Sequence, residues 1–266
     1  MGKENIATYF NDIKKKNHNL FVPYIVAGDG ENGVDNLVER IQFLEDAGAA
    51  AIELGIPFSD PVADGPTIQE GSIRALKNGT TLQKVLDVVA TSKESREIPI
   101  ILMTYINPIF ALGVDTFAET CEQAGVDGVI IPDVPLEEEE LLTKALTKHS
   151  IAFIRLAALT SPPERLEKIA ERSEGFLYAV AVKGTTGVRD SHEEDLGAYL
   201  SMLKRYSQVP VLAGFGVSNA EQAHAISNHC DGVIVGSKIV DLLHQGKTTE
   251  VRDLIQASIT KKPSYS

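Results

Sequence analysis

The sequence has 266 residues, 43% apolar and 23% charged, a balance that excludes disorder as the main state. Lys and Arg number 25 against 37 Asp and Glu; the net charge of −12 repels a nucleic-acid backbone, and no basic stripe compensates. Apolar runs are strand-sized, and none approaches the roughly 18 residues of a membrane span.

The opening MGKENIATYFNDIKKKNHN is polar and lacks the apolar core of a secretory signal. No Ser or Thr stands at the sixth position, which argues against a myristoyl signal. A helical pattern covers 6–15, with Lys14, Lys15 and Lys16 on a solvated face. Apolar runs then alternate with amphipathic stretches. The runs cover 21–27, 49–54, 98–104, 128–131, 151–156, 176–182, 209–213 and 232–235. All eight are apolar on both sides of the period-two alternation, as parallel strands covered on both faces should be. Helical patterns lie at 34–47, 68–78, 82–91, 115–124, 137–149, 163–172, 195–206, 220–227 and 249–257. Gly48 and Gly125 end helices that run straight into strands, and Pro162-Pro163 starts another.

No Gly/Ser-rich linker interrupts the series. Eight β-α units with right-handed crossovers close most simply into a (β/α)8 TIM barrel. The expectation is one barrel domain over 1–266, with an extra N-terminal helix and a short extra helix after strand eight, running to His244. A doubly wound open sheet is the alternative. It would place a G-x-G-x-x-G turn after the first strand, and AGDGENG lacks that spacing.

In a barrel, function lies at the C-terminal ends of the strands. Glu53 is the lone charge on an otherwise apolar strand end. Two readings are open: a general acid/base whose pKa an apolar wall raises, or a carboxylate bonded to a neighbouring backbone N–H. Asp60 and Asp64 follow in a long loop shaped by Gly55, Pro57, Pro61, Gly65 and Pro66. Each is either functional or the cap of its own turn.

Late in the chain, glycines cluster after three consecutive strands: Gly184 and Gly187, Gly214 and Gly216, then Gly236-Ser237 at the start of the short helix. That pattern points to a phosphate held by backbone N–H groups, with tight turns as the bland reading. Tyr178 alternates within strand six and either points into the mouth or belongs to the core, which is the commoner place for such a residue. Glu137 to Glu140 read as a solvated helix start. Cys121 and Cys230 read as free buried thiols of a reducing compartment, and His224, His229 and Cys230 fit no ligand spacing. No Ser/His/Asp set, P-loop or metal motif occurs.

The segment GIPFSDPVADGPTIQ resembles the signature of the tryptophan synthase α-subunit family, nearly residue for residue. The likeness continues through Phe21-Val-Pro-Tyr-Ile, Met103-Thr-Tyr-Ile-Asn-Pro, Ile131-Pro-Asp-Val-Pro-Leu, Gly184-Thr-Thr-Gly-Val-Arg, Ala213-Gly-Phe-Gly-Val-Ser and Val235-Gly-Ser, and so spans essentially the whole chain. The resemblance implies a (β/α)8 barrel without a cofactor of its own that cleaves indole-3-glycerol phosphate to indole and glyceraldehyde 3-phosphate. It maps the catalytic Glu and Asp onto Glu53 and Asp64, the phosphate contacts onto Gly187, Gly216, Gly236 and Ser237, and substrate contacts onto Tyr178, Thr186 and Phe215. One departure is Thr185 where many members have Val. Another is Ala181-Val-Lys183 where many have a Ser-rich approach, so the lid after strand six closes with different contacts.

The resemblance further implies a cytoplasmic α2β2 heterotetramer, with pyridoxal phosphate in the β subunit and no metal, nucleic-acid or membrane partner. The partner is expected on the loops at 57–62, 107–111 and 132–136. Two other classes stand beside this: a catalytically silent phosphate-binding barrel that regulates a partner, and a sister enzyme such as indole-glycerol phosphate synthase. The sister needs lysines at strand ends, and Lys183 is the only candidate.

Overall fold

A computed structural model describes residues 2–180, 189–214 and 216–260, with 189–195 by backbone alone. The strands are β1 (Leu20–Val26), β2 (Ile52–Gly55), β3 (Ile100–Met103), β4 (Gly128–Ile130), β5 (Ala152–Phe153), β6 (Leu156–Ala158), β7 (Leu177–Val180), β8 (Val211–Gly214) and β9 (Gly232–Val235). All pairs are parallel, in the order β5-β4-β3-β2-β1-β9-β8-β7-β6.

The two ends of that order are pieces of one run of chain. The Ile154 N–H donates to the Val129 carbonyl on one side, and the Arg155 carbonyl accepts the Tyr178 N–H on the other, at 3.0 and 3.1 Å. The sheet therefore closes on itself as a (β/α)8 barrel whose fifth strand is broken in two. The break has a local cause. The Arg155 N–H turns to the Ser173 hydroxyl at 3.3 Å instead of a neighbouring strand.

The helices are α1 (Lys3–Lys15), α2 (Leu37–Asp46) behind a 3-10 turn at Gly33–Asn36, α3 (Pro66–Lys77), α4 (Leu82–Thr91), α5 (Ile106–Leu112), α6 (Val114–Ala124), α7 (Glu140–Lys148), α8 (Pro163–Arg172), α9 (Arg189–Tyr206), α10 (Ala220–Ser227), α11 (Ser237–His244) and α12 (Thr248–Ile259). Gly125 takes the left-handed conformation at the end of α6 (φ 73°), a geometry that costs glycine least.

Helix α5 is an addition to the expected elements, and the stretch 107–111, read as a loop, lies inside it. Pro108 disguised it. Proline stops a helix in its interior but not in its first turn, where the N–H has no intrahelical acceptor anyway. Helix α9 starts at Arg189 rather than at 195.

Alternation along the strands sorts the core into two layers. Phe21, Ile25, Ile52, Leu54, Ile100 and Leu102 face the helices. Leu20, Val22, Ala51, Ile101, Ile130, Ile154, Leu212 and Ile234 fill the barrel interior. Ile6 and Phe10 of α1 join that interior from the N-terminal end, with the Phe10 ring 6.1 Å from Phe176. Helix α1 thus plugs one end and leaves the other for a site.

The acidic run before α7 corrects an expectation. Glu137 is exposed and pairs with Arg165, but Glu139 is 7% exposed and lies between two arginines. Its carboxylate accepts Arg155 Nε at 2.7 Å and Arg172 Nη1 at 2.8 Å. Four consecutive acids read as solvated because their cations stand far off in sequence, on β6's approach and on α8.

Candidate active site

The open end of the barrel gathers the ionisable groups. Ile52 and Leu54 are buried against the helices, so Glu53 between them must point inward. Its register partners are Tyr24 on β1 and Ile101 on β3. Glu53 is 1% exposed, and its Oε2 has no hydrogen-bond partner among the described residues. Burial, with a smaller push from Asp64, raises its carboxyl to about 8. The ionised form is disfavoured in an apolar wall, so the group is mostly protonated at neutral pH.

Asp64 lies on the loop from β2 to α3, which is ordered by its own turns and by one aromatic. The Asp64 N–H donates to the Pro61 carbonyl at 3.1 Å, and its carbonyl accepts Gln69 Nε2 at 2.9 Å. Pro66 opens α3 directly after it. The Ala63 N–H donates to the Tyr105 hydroxyl at 3.1 Å, and the Tyr105 ring stacks on Phe58 with centroids 5.2 Å apart. Partial burial raises Asp64 to about 6, against a hydrogen bond with the Tyr105 hydroxyl that lowers it. Asp60, further out, is exposed; its carboxylate accepts the Ser59 hydroxyl at 2.5 Å, while the turn there is closed by backbone, with the Val62 N–H donating to the Asp60 carbonyl at 3.0 Å.

Two more tyrosines face the carboxylates. Tyr24 is 5% exposed; Tyr178 is half-buried, packing on the barrel interior beside Phe176 while it neighbours the carboxylates, so each of its two readings holds in part. Each lies over a glycine of the next strand. A Cβ on Gly55 would fall 2.0 Å from the Tyr24 hydroxyl, and one on Gly214 2.5 Å from the Tyr178 ring. Burial first, then the charges of Asp64 and Glu53, pushes both phenols well above their usual value. Sequence reasoning missed Tyr24 and Tyr105. The one signal for either was its place inside a motif of the resemblance, Tyr24 in Phe21-Val-Pro-Tyr-Ile and Tyr105 in Met103-Thr-Tyr-Ile-Asn-Pro.

The anion reading is described in part. Gly236 is the N-cap of α11 and has no side-chain cap, so the first-turn N–H groups from Ser237 onward point out without an intrahelical acceptor. Gly236 lies 3.7 Å, at its would-be Cβ, from Tyr24, which joins this end of the site to the carboxylates. Gly216 is left-handed (φ 64°) with open space on its side-chain face. Thr186, Gly187 and Phe215 lie outside the described residues, as do Lys183 and Thr185.

Among the described residues no group of His, Cys, Asp and Glu could hold a metal, and no helix is long and apolar enough to cross a membrane. Cys121 and Cys230 are buried and free. The Cys230 thiol donates to the Gly232 carbonyl at 3.1 Å, and burial raises it to about 12, which makes it inert.

Comparisons with known proteins place the chain in a family. The profile of the family described as tryptophan synthase alpha chain matches residues 10–264. A tryptophan synthase alpha chain of Oceanobacillus iheyensis is 57% identical over 98% of this chain and 99% of its own length. One of Bacillus cereus is 47% identical over the same shares. Among solved structures, tryptophan synthase subunit alpha of Legionella pneumophila superposes with a TM-score of 0.86 at 32% identity, covering 97% of each chain. With the profile running from residue 10 to 264 and the relatives matched over nearly their full length, the chain belongs to the tryptophan synthase alpha chain family.

Proposed function

We propose that the chain is a carbon–carbon lyase that cleaves indole-3-glycerol phosphate to indole and glyceraldehyde 3-phosphate, with Glu53 and Asp64 as its catalytic residues. The observation that carries this reading is the split between the two carboxyls. Burial puts Glu53 at about 8 and Asp64 at about 6, so near neutral pH one is an acid and its neighbour a base.

The reaction is a reverse aldol and needs both. Protonated Glu53 gives its proton to indole C3, and positive charge appears on the ring nitrogen. Ionised Asp64 accepts the N–H and stabilises that charge. The Glu53 carboxylate then takes the proton of the glycerol hydroxyl. The bond from C3 to the glycerol carbon breaks, its electron pair restores the indole ring, and the glycerol carbon becomes an aldehyde. Glu53 ends as it began, protonated. Backbone N–H groups at Gly187, Gly216, Gly236 and Ser237 hold the phosphate, and Tyr178, Thr186 and Phe215 border the substrate. The chain needs no cofactor for these steps.

The partner is a β subunit that uses pyridoxal phosphate, joined in a cytoplasmic α2β2 assembly and fed with indole from the barrel mouth. Its dock is the rim formed by the loops at 57–62 and 132–136 and by α5. There Val62 is 83% and Phe110 49% exposed, which suits the apolar centre of an interface. The test is indole release from indole-3-glycerol phosphate, with and without a β subunit. Release that rises on adding β is the expected result. No indole under either condition refutes the lyase reading and leaves a silent phosphate-binding barrel, and turnover indifferent to β refutes the partner.

A further inference from the structure

The loop that carries Asp64 is held by Tyr105, and Tyr105 is held from a third element. Tyr105 is 2% exposed and immediately precedes α5. As the residue before the helix it occupies the capping position, but its side chain makes no cap. The cap comes from across the rim. Both carboxylate oxygens of Asp133, on the loop after β4, lie within reach of the Ile106 N–H, at 3.0 and 3.2 Å. Two carboxylate oxygens on this otherwise unpaired donor fix the turn in which Tyr105 sits. The Tyr105 hydroxyl accepts the Ala63 N–H, so its own single proton is left for the Asp64 carboxylate that it faces.

We propose that Asp133 is a positioning residue for Asp64: its carboxylate holds the Ile106 N–H, the held turn aims the Tyr105 hydroxyl, and that hydroxyl keeps Asp64 in place and ionised. This rests on the reading of Asp64 as the group that accepts the indole N–H. Asp133 touches neither substrate nor Asp64. The other ionisable groups facing Asp64 are Glu53 on β2, Tyr24 on β1 and Tyr178 on β7; each stays protonated at neutral pH and so places no charge beside it, and Tyr105 is the one side chain of the set that hydrogen-bonds it.

The sign of the effect follows. A hydrogen bond to the ionised form lowers a carboxyl's pKa, and its loss raises it. In Asp133→Ala the Tyr105 hydroxyl loses its aim, Asp64 protonates at higher pH, and the acid limb of kcat/KM for indole release moves up. A lost hydrogen bond of ordinary strength corresponds to about half a pH unit or more, and to roughly three- to tenfold lower kcat/KM at pH 6. The loss falls on kcat more than on KM, since the contact strengthens as charge develops. Asp133→Asn keeps an acceptor for the Ile106 N–H and removes the charge, so its acid limb stays near that of the unaltered chain. Tyr105→Phe keeps the ring on Phe58 and loses the hydroxyl. It shows the same upward shift, and adding Asp133→Ala to it gives no further shift.

The pH profiles of the full chain and these variants decide the matter, with Asp133→Ser read in place of Asp133→Ala if the latter does not fold. A limb that stays put in both Ala and Asn variants, or moves down in both as removal of a repelling charge alone would make it, overturns the proposal for Asp133. An unaltered chain with no acid limb that Asp64→Asn abolishes overturns the reading of Asp64, and the positioning role with it.

Discussion

Two carboxylates, each 1% exposed, sit at opposite ends of this barrel. Asp127 lies at the N-terminal end, just before β4. One of its oxygens accepts the Gly2 N–H at 2.7 Å and Asn5 Nδ2 at 3.1 Å, and the other accepts the Ile100 N–H at 3.0 Å. Glu53 lies toward the mouth, and its Oε2 accepts nothing from the described residues. Burial raises both, but at Asp127 the three donors pull back, while at Glu53 Asp64 pushes the same way as burial. A carboxylate kept for the fold is given donors until it is satisfied. One left short of donors in an apolar wall is kept for something that arrives later, and its proton is the part that can be used.

The contrast breaks first on activity. Glu53→Gln keeps the shape and removes the transferable proton. Cleavage is expected to fall by at least the roughly 10²–10⁴-fold that general acid/base help supplies, because one group serves both transfers. Steady-state indole release, with circular dichroism to check the fold, measures it; activity within about threefold of the unaltered chain would end the reading of Glu53.

The second test sharpens the difference between the two loop acids. Asp64→Asn is expected to cost the isolated chain on the order of 10²-fold or more, as loss of a charge aimed at a developing cation does. Asp60→Asn, at an exposed carboxylate held by Ser59, should leave isolated-chain turnover nearly unchanged. Equal losses would remove the division between them.

The smallest effect is on stability, and there the two buried acids part in sign. Glu53 has an ordinary value of 4.5 and stands at about 8 in the folded chain, so the folded state binds the extra proton. Stability then falls as pH rises from about 4.5 to about 8. Glu53→Gln removes that loss. It should leave stability unchanged below about pH 4.5 and raise it by up to a few kcal/mol at pH 8 and above. Asp127→Asn turns one acceptor into a donor facing an N–H, and should cost about 1–3 kcal/mol. Urea titrations at pH 5 and pH 8 read both; a destabilised Glu53→Gln at pH 8 would mean that Glu53 has a structural partner.

Much of this was legible in advance, for a physical reason. Helices at 82–91, 163–172 and 220–227 have the expected bounds, because caps, prolines and apolar period act within a few residues. Glu53 was conspicuous as one charge on an apolar strand, and the Gly/Pro loop after it as a shaped one. The broken fifth strand, helix α5 and the buried Glu139 were not legible.

Order along the chain determined the eight alternating units, the right-handed closure they imply, and which strand ends could bear chemistry. Only the tertiary structure decided which groups meet there. Tyr105 reaches Ala63 across 42 residues, and Asp133 reaches Ile106 across 27. Tyr24 lies on Gly55 because two parallel strands happen to be neighbours in register. Pairings of this kind leave no local period, since a hydrogen bond constrains where two atoms end up and not how much chain lies between them. The pKa values that separate the acid from the base are decided there too, because burial belongs to the closed barrel and to no residue alone.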